Sequence, residues 1–260
     1  MADLLRTYFV VILVAISAIS CNKENVAVSS SGAIIRGDTT IKNIALVFTG
    51  DEFGDGGDFI DKTLKKNNIK ASFFLTGNFY RNQEFVQLIR KLKKNGNYLG
   101  SHSDKHLLYC DWTKRDSLLV SKEAFIKDLQ DSYNELNKFS ISASQAHYFL
   151  PPYEWYNDSI ANWTRQLGLQ LVNFTPGTGS NTDYTYPGMG DRYINSRTIY
   201  NSILTFERRS SSGLNGFILL THIGTDPRRT DKFYFYLPDL IKELKNRDYH
   251  FVKIDELLDF

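Results

Sequence analysis

At 260 residues, with 42% hydrophobic and 14% aromatic content, the chain carries enough apolar material for one large core, so a single domain is the first expectation. Lys and Arg total 31 against 29 Asp and Glu, and a net charge of +2 excludes nucleic acid or another polyanion as the expected partner. A neutral or small partner fits better.

From the first residue, one early Arg6 precedes the run YFVVILVAISAIS at 8–20, too short for a membrane span and shaped like a secretory signal. The run closes on Ala18-Ile19-Ser20-Cys21, which resembles a bacterial lipobox, so residues 1–21 read as a lipoprotein signal peptide. An ordinary signal peptide with an incidental cysteine is the alternative. Acyl chains on Cys21, at about 0.8 kcal/mol per buried CH₂, would hold the mature chain on a membrane surface without spanning it. The expectation is an exported bacterial lipoprotein, periplasmic or at the cell surface. With Cys21 acylated, Cys110 is the remaining thiol and no intramolecular disulfide can form. On a bacterial reading, the sequons at Asn157, Asn162 and Asn173 are chance matches. Residues 22–40 (NKENVAVSSSGAIIRGDTT) are polar and Ser-rich without a sustained period and read as a flexible tether; the folded body is expected over 41–260.

Within the body, 44–48 (IALVF) is a buried strand, the helical spacing of Phe59, Ile60, Thr63 and Leu64 follows, and 70–75 (KASFFL) is a second strand. A helix over 85–94 stops at Asn95-Gly96 before a strand at 97–100. The most regular amphipathic helix spans 123–139, with Phe125, Ile126, Leu129, Tyr133 and Leu136 on one stripe. Strands are expected at 147–150, 169–173 and 216–221, helices at 159–167 and 198–209, and a closing helix (237–246), strand (250–254) and turn (255–260). The alternation predicts parallel strands joined by crossover helices, an α/β barrel in which working residues follow the carboxyl ends of strands.

Polar clusters stand at those positions: Thr49-Gly50-Asp51-Glu52, Ser101 to His106, Pro151-Pro152-Tyr153, and His222. His102 and His106, at i and i+4, could meet one cation on one side of a turn, with Asp51 or Glu52 supplying the carboxylate of a hydrolytic metal site. The plain reading of the same pair is a strand-capping His102 and an exposed His106.

The ordered set ALVF–TGDE, GSHSDKH, LPPY and ILLTH resembles the polysaccharide deacetylase family of carbohydrate esterases, and the likeness runs from about Ile44 to Leu258, including KKNNIKASFFLTGNF and LPDLIKELKNRDYHFVKIDELL. The resemblance implies a distorted, seven-stranded (β/α) barrel in a single domain and a metal-bound water that attacks the acetyl group of a sugar. It implies a divalent metal, zinc first, with cobalt or nickel possible, held by His102, His106 and the acidic pair Asp51 and Glu52. It makes His222 the acid for the leaving group and the backbone N–H of Tyr153 an oxyanion donor. In the family's order Asp51 would be base and Glu52 ligand; the reverse stays open.

Three departures stand beside the matches. Thr49 and Gly50 occupy the places of the family's consecutive aspartates, and Gly50 is expected to bend the backbone so that Asp51-Glu52 returns to the site. Leu150 stands where the family has an arginine that orients its base. No Asp-and-Trp fourth motif follows residue 174; Asp183 is a candidate partner for His222, with a simple turn residue the preferred reading. His147 and His250 read as structural, Trp155 and Tyr156 as a sugar-stacking wall or as packing, and DPRRTDKFY after His222 as a solvated loop. The implied function is metal-dependent removal of N- or O-linked acetyl groups from a polysaccharide or cell-wall glycan; the alternative is a catalytically impaired carbohydrate-binding lipoprotein.

Overall fold

Residues 43–50 carry an apolar run with no charge, and they form the central strand. In the computed structural model, which describes residues 26–258, this strand is β3 (Asn43–Gly50), preceded by β1 (Ala27–Val28) and β2 (Ile34–Arg36). Ile44, Ala45, Val47 and Phe48 are at most 1% exposed, as expected of a parallel strand covered on both faces. The chain continues through α1 (Gly57–Lys66), β4 (Ser72–Leu75), α2 (Gly77–Arg81), α3 (Val86–Lys94), β5 (Tyr98–Ser101), α4 (Lys122–Lys138), β6 (Tyr148–Phe149), α5 (Asp158–Gln166), β7 (Gln170–Leu171), α6 (Ser196–Arg209), β8 (Phe217–His222), α7 (Leu237–Lys245), β9 (His250–Val252) and α8 (Ile254–Leu258).

Among the described residues the nine strands form one sheet, eight of them in the order β1-β2-β8-β3-β4-β5-β6-β7 with β9 branching from β3. On one side β3 pairs with β8; on the other it pairs first with β9 (Ile44 opposite Phe251) and then with β4 (Phe48 opposite Phe73). The seven strands β3 to β9 are mutually parallel, which matches the α/β barrel with seven strands expected from the sequence. The aromatic core joins them, with the rings of Phe48 and Phe73 stacked at 5.1 Å.

The tether expectation fails for part of its length. Residues 27–36 form the hairpin β1–β2, and β2 runs antiparallel to β8. Ile34 also bridges Val172 beyond β7, where its carbonyl accepts the Asn173 N–H at 2.9 Å. The hairpin thus lies between the two ends of the parallel set and joins them. Its apolar residues Ala33, Ile34 and Ile35 are too few to show a period, which is why the segment passes for a linker; their burial against the sheet is what orders it. The signal peptide and Cys21 lie outside the described residues, and no described helix is long and apolar enough to cross a membrane.

Side-chain caps start the site-bearing helices. Ser121, Asn157 and Asn195 each accept an N–H at the N-terminus of α4, α5 and α6, and Thr76 does the same for α2.

Candidate active site

Because the seven strands are parallel, the segments after β3, β5, β6 and β8 emerge at one end of the sheet. There they line a cavity of about 520 Å³ that contains Asp51, His102, His106, Tyr153, Glu154 and His222. The structure therefore brings together all the residues that the sequence pattern singled out, with one distinction: Glu52 is exposed at the rim, while Asp51 is half-buried.

The loop after β5 is fixed from all sides. His102 N–H donates to Leu75 carbonyl at 3.0 Å, and the Ser101 hydroxyl pairs with that of Ser132 at 2.8 Å. Asp104, 2% exposed, is ion-paired to Arg81, and Asp128 accepts the Lys105 N–H at 3.1 Å. Ser103 and His106 have φ of 72° and 55°, left-handed conformations which this network holds in place. His102 is 2% exposed, and its Nδ1 donates to Leu150 carbonyl at 2.8 Å, an acceptor that fixes the tautomer and leaves Nε2 with a free lone pair. The imidazole centroids of His102 and His106 are 5.0 Å apart, and the Tyr153 ring lies 4.3 Å from that of His106. Burial, and then the neighbouring His106, push the His102 pKa well below the ordinary value; burial also lowers His106, against the pull of Asp51. Both rings are thus held neutral.

The family arginine has no counterpart at Leu150, whose side chain is fully buried and whose carbonyl serves His102 instead. Asp51 is oriented from β4: Thr76 donates its hydroxyl to Asp51 Oδ1 at 2.7 Å while accepting the Phe79 N–H at 3.1 Å, and Asn78 Nδ2 lies 3.4 Å from the same oxygen. Gly50 does not bend the chain. It continues β3 in register with Leu75, and its role is clearance, since a Cβ there would lie 2.6 Å from Ile223 Cγ2. Asp51 reaches the cavity because it follows the strand's last residue.

Across the cavity, Asp183 is more than a turn residue. Its Oδ1 is 2.6 Å from His222 Nδ1 and its Oδ2 accepts the His222 backbone N–H at 3.0 Å, so one carboxylate grips both the ring and the main chain. Burial acts to lower the His222 pKa, but the charge and hydrogen bond of Asp183 outweigh it and the net shift is upward. Behind this pair, the segment expected to be a solvated loop sends Arg229 into the interior. Fully buried, its guanidinium binds the carbonyls of Thr185 and Ile194 and the Ser196 hydroxyl, while the neighbouring Arg228 stays exposed over the Tyr186 ring.

Of the two readings of Trp155 and Tyr156, the packing one holds. Tyr156 is buried, with its hydroxyl 2.7 Å from Ser29, and Trp155 donates to Asp111 carbonyl at 3.2 Å. The most exposed ring at the cavity mouth is Trp112, 5.5 Å from both Tyr153 and Trp155, with Tyr153 and Tyr184 also exposed there. Single-sequence reading passes over Trp112 because nothing local marks it; the fold alone carries it to the mouth. His147 and His250 do not line the cavity.

A model of polysaccharide deacetylases matches residues 36–172. The chain belongs to the polysaccharide deacetylase family. Deacetylases of this family generally depend on a divalent metal ion. Peptidoglycan-N-acetylmuramic acid deacetylase PdaA of Bacillus subtilis is 27% identical over 237 residues, covering 90% of this chain and 78% of that protein. A chitin deacetylase of Arthroderma benhamiae is 25% identical over 87% of this chain, which spans 54% of that longer protein. The solved structure of PdaA, a family 4 carbohydrate esterase, has a TM-score of 0.66 at 24% identity, covering 87% of this chain and 84% of that one. A CE4 family pseudoenzyme from Bacillus anthracis has the same TM-score at 17% identity, covering 89% and 70%. These structural likenesses show the fold.

The donor chemistry of this deacetylase-family cavity suits a divalent ion in part. His102 Nε2 and the His106 ring are available, neutral imidazoles. The carboxylate share is not assembled: among the described residues no group of three or more His, Cys, Asp or Glu is gathered so that it could hold a metal ion.

Proposed function

We propose that the chain is a metal-dependent hydrolase that removes N- or O-linked acetyl groups from a polysaccharide or cell-wall glycan. The observation that carries this reading is the His222–Asp183 pair facing two neutral imidazoles across one cavity. His102 and His106 would hold the ion, for which zinc, cobalt and nickel are all suitable, and Asp51 is the carboxylate offered to that set. When bound, such an ion supplies charge that acidifies water and polarises an acetyl carbonyl.

The chain's own residues do the rest. His222, charged with the help of Asp183, donates a proton to the leaving nitrogen or oxygen of the sugar. Asp183 keeps Nδ1 protonated, so that the other ring nitrogen faces the cavity. Tyr153 is the second residue of a 3-10 turn (Pro152–Glu154), where its N–H has no partner inside the turn and is free to donate to a developing oxyanion. Exposed Trp112 and Tyr184 at the mouth offer faces on which sugar rings stack.

The test is acetate release from acetylated chitin, xylan and peptidoglycan fragments by the chain supplied with zinc, cobalt or nickel. Release that a chelator abolishes and that vanishes in His222→Ala is expected; no acetate from any of these glycans overturns the reading. The lack of a three-donor group among the described residues favours a second reading, a carbohydrate-binding lipoprotein with impaired catalysis. Glycan binding without acetate release would select it. The anchoring proposed for Cys21 is checked by labelled fatty acid incorporation, expected in the wild-type chain and lost in Cys21→Ala.

A further inference from the structure

The cavity holds a carboxyl that none of these roles uses. Glu154 follows Tyr153 with a φ of 54°, a left-handed conformation that residues with a Cβ avoid and glycine takes freely. Its main chain is clamped there: the N–H donates to Pro151 carbonyl at 3.1 Å, and the carbonyl accepts from Asn173 Nδ2 at 2.8 Å. The side chain lines the cavity and makes no hydrogen bond or ion pair with any described residue. The charged groups felt by it are His222 from β8 and Asp183 from the turn after β7. A strained residue kept in place by its neighbours, with a polar head that serves no structural contact, is a functional candidate on physical grounds.

The other carboxylates of the cavity are committed or misplaced. Asp183 is bound to His222, Asp51 receives the Thr76 hydroxyl, Asp226 is ion-paired to Arg228, and Glu52 is exposed at the rim. Thr49, where the family has its first aspartate, offers only a buried hydroxyl without a partner.

The geometry points to Glu154 as the general base of the deacetylation, a role that rests on the deacetylase reading above. Its carboxylate takes one proton from the attacking water as the water oxygen bonds to the acetyl carbon. His222 then gives its proton to the sugar nitrogen or oxygen as the C–N or C–O bond breaks, releasing acetic acid, which ionises to acetate in water. The proton on Glu154 passes on to His222, and both groups are reset, with the water divided between the two products. Desolvation lifts the Glu154 pKa to about 7, opposed by His222 and reinforced by Asp183, which suits a group that must both take and return a proton near neutrality.

The experiment compares wild type, Glu154→Gln and Glu154→Gly in the full chain supplied with zinc or cobalt, on whichever acetylated glycan wild type turns over. Glu154→Gln is expected to lower kcat by about 10²–10⁴-fold with KM unchanged. Glu154→Gly is expected to melt at or above the wild-type temperature, because glycine relieves the left-handed backbone, yet to be equally slow, with turnover partly restored by added formate. Formate should do nothing for His222→Ala. A Glu154→Gln enzyme within about tenfold of wild-type kcat overturns the assignment while leaving the deacetylase reading intact. Wild type inactive on every glycan overturns that reading and this role with it.

Discussion

The two walls of the cavity are built in different ways. The imidazole wall comes from one contiguous stretch, residues 101–106, which is tied to α2 through Arg81, to α4 through Asp128 and Ser132, and to β4 through the Leu75 carbonyl. The opposite wall is assembled from afar: Glu154 follows β6, Asp183 follows β7, and Asp183 grips His222 across 39 residues of sequence. The contiguous wall carries its imidazoles on one short loop that α2, α4 and β4 hold from outside, whereas the assembled wall depends on the sheet register that brings Thr49 opposite His222. The first kind can be read from a motif. In the second, a motif gives His222, but its grip by Asp183 is settled only when the strands are paired.

The sharpest way to break this comparison is to remove one imidazole from each wall. His222→Ala is expected to cost about 10²–10⁴-fold in turnover while leaving divalent metal uptake unchanged. His102→Ala should lose both turnover and metal uptake, read by elemental analysis of the dialysed protein. If the two variants lost metal equally, the walls would not be separate devices.

Next in size is the buried support of the assembled wall. Arg229→Met leaves the carbonyls of Thr185 and Ile194 without their donor, and a loss of about 3 kcal/mol is expected in urea denaturation. The same substitution at exposed Arg228 should leave stability nearly unchanged.

A smaller effect separates His222 from its partner by pH. Because Asp183 raises the His222 pKa, the folded state favours the charged ring; that stability is complete below pH 6.5 and is lost as pH rises through the raised value. In Asp183→Asn only burial remains to act in strength, and it lowers the pKa, so stability should instead fall as pH drops below 6.5. Urea midpoints at pH 5.5 and 8 check the sign. An Asp183→Asn protein with the wild-type pH trend would show that the carboxylate is a turn residue after all.

Much of the fold was legible because its elements announce themselves locally. The β3 run, the α4 stripe and the Asn-Gly stop after α3 each carry a period or a breaker, and the observed bounds fall within a few residues of expectation. The hairpin β1–β2 was not legible, since two- and three-residue strands have no period and are ordered by burial against the sheet and by pairing with β8 and Val172. The same division runs through the site. His102, His106 and His222 follow or close apolar strands and stand out, while Asp183 reads as a candidate partner of His222 or, by preference, as a turn residue until the pairing is seen, and Arg229 lies in a charged run that hides its full burial. At Gly50 the missing Cβ makes room for Ile223 rather than a bend, a packing role that no local pattern marks.

The smallest expected effect concerns the rim that joins the two walls. Trp112 is 53% exposed, yet it is not free to turn: Trp155 lies 5.5 Å behind it, and Trp155 is itself held by the Arg115 guanidinium at 4.0 Å over its face and by its bond to Asp111. A large apolar face held open to solvent costs less to order when a sugar stacks on it, because its rotamer is already fixed. Trp112→Ala should therefore raise KM for a glycan by about 2- to 10-fold, the equivalent of roughly 0.5–1.5 kcal/mol, with kcat unchanged. Trp112→Phe should recover most of that loss. A fall in kcat at constant KM would instead mean that the ring acts in the transition state, which would tie the rim to Tyr153 and to the chemistry beneath it.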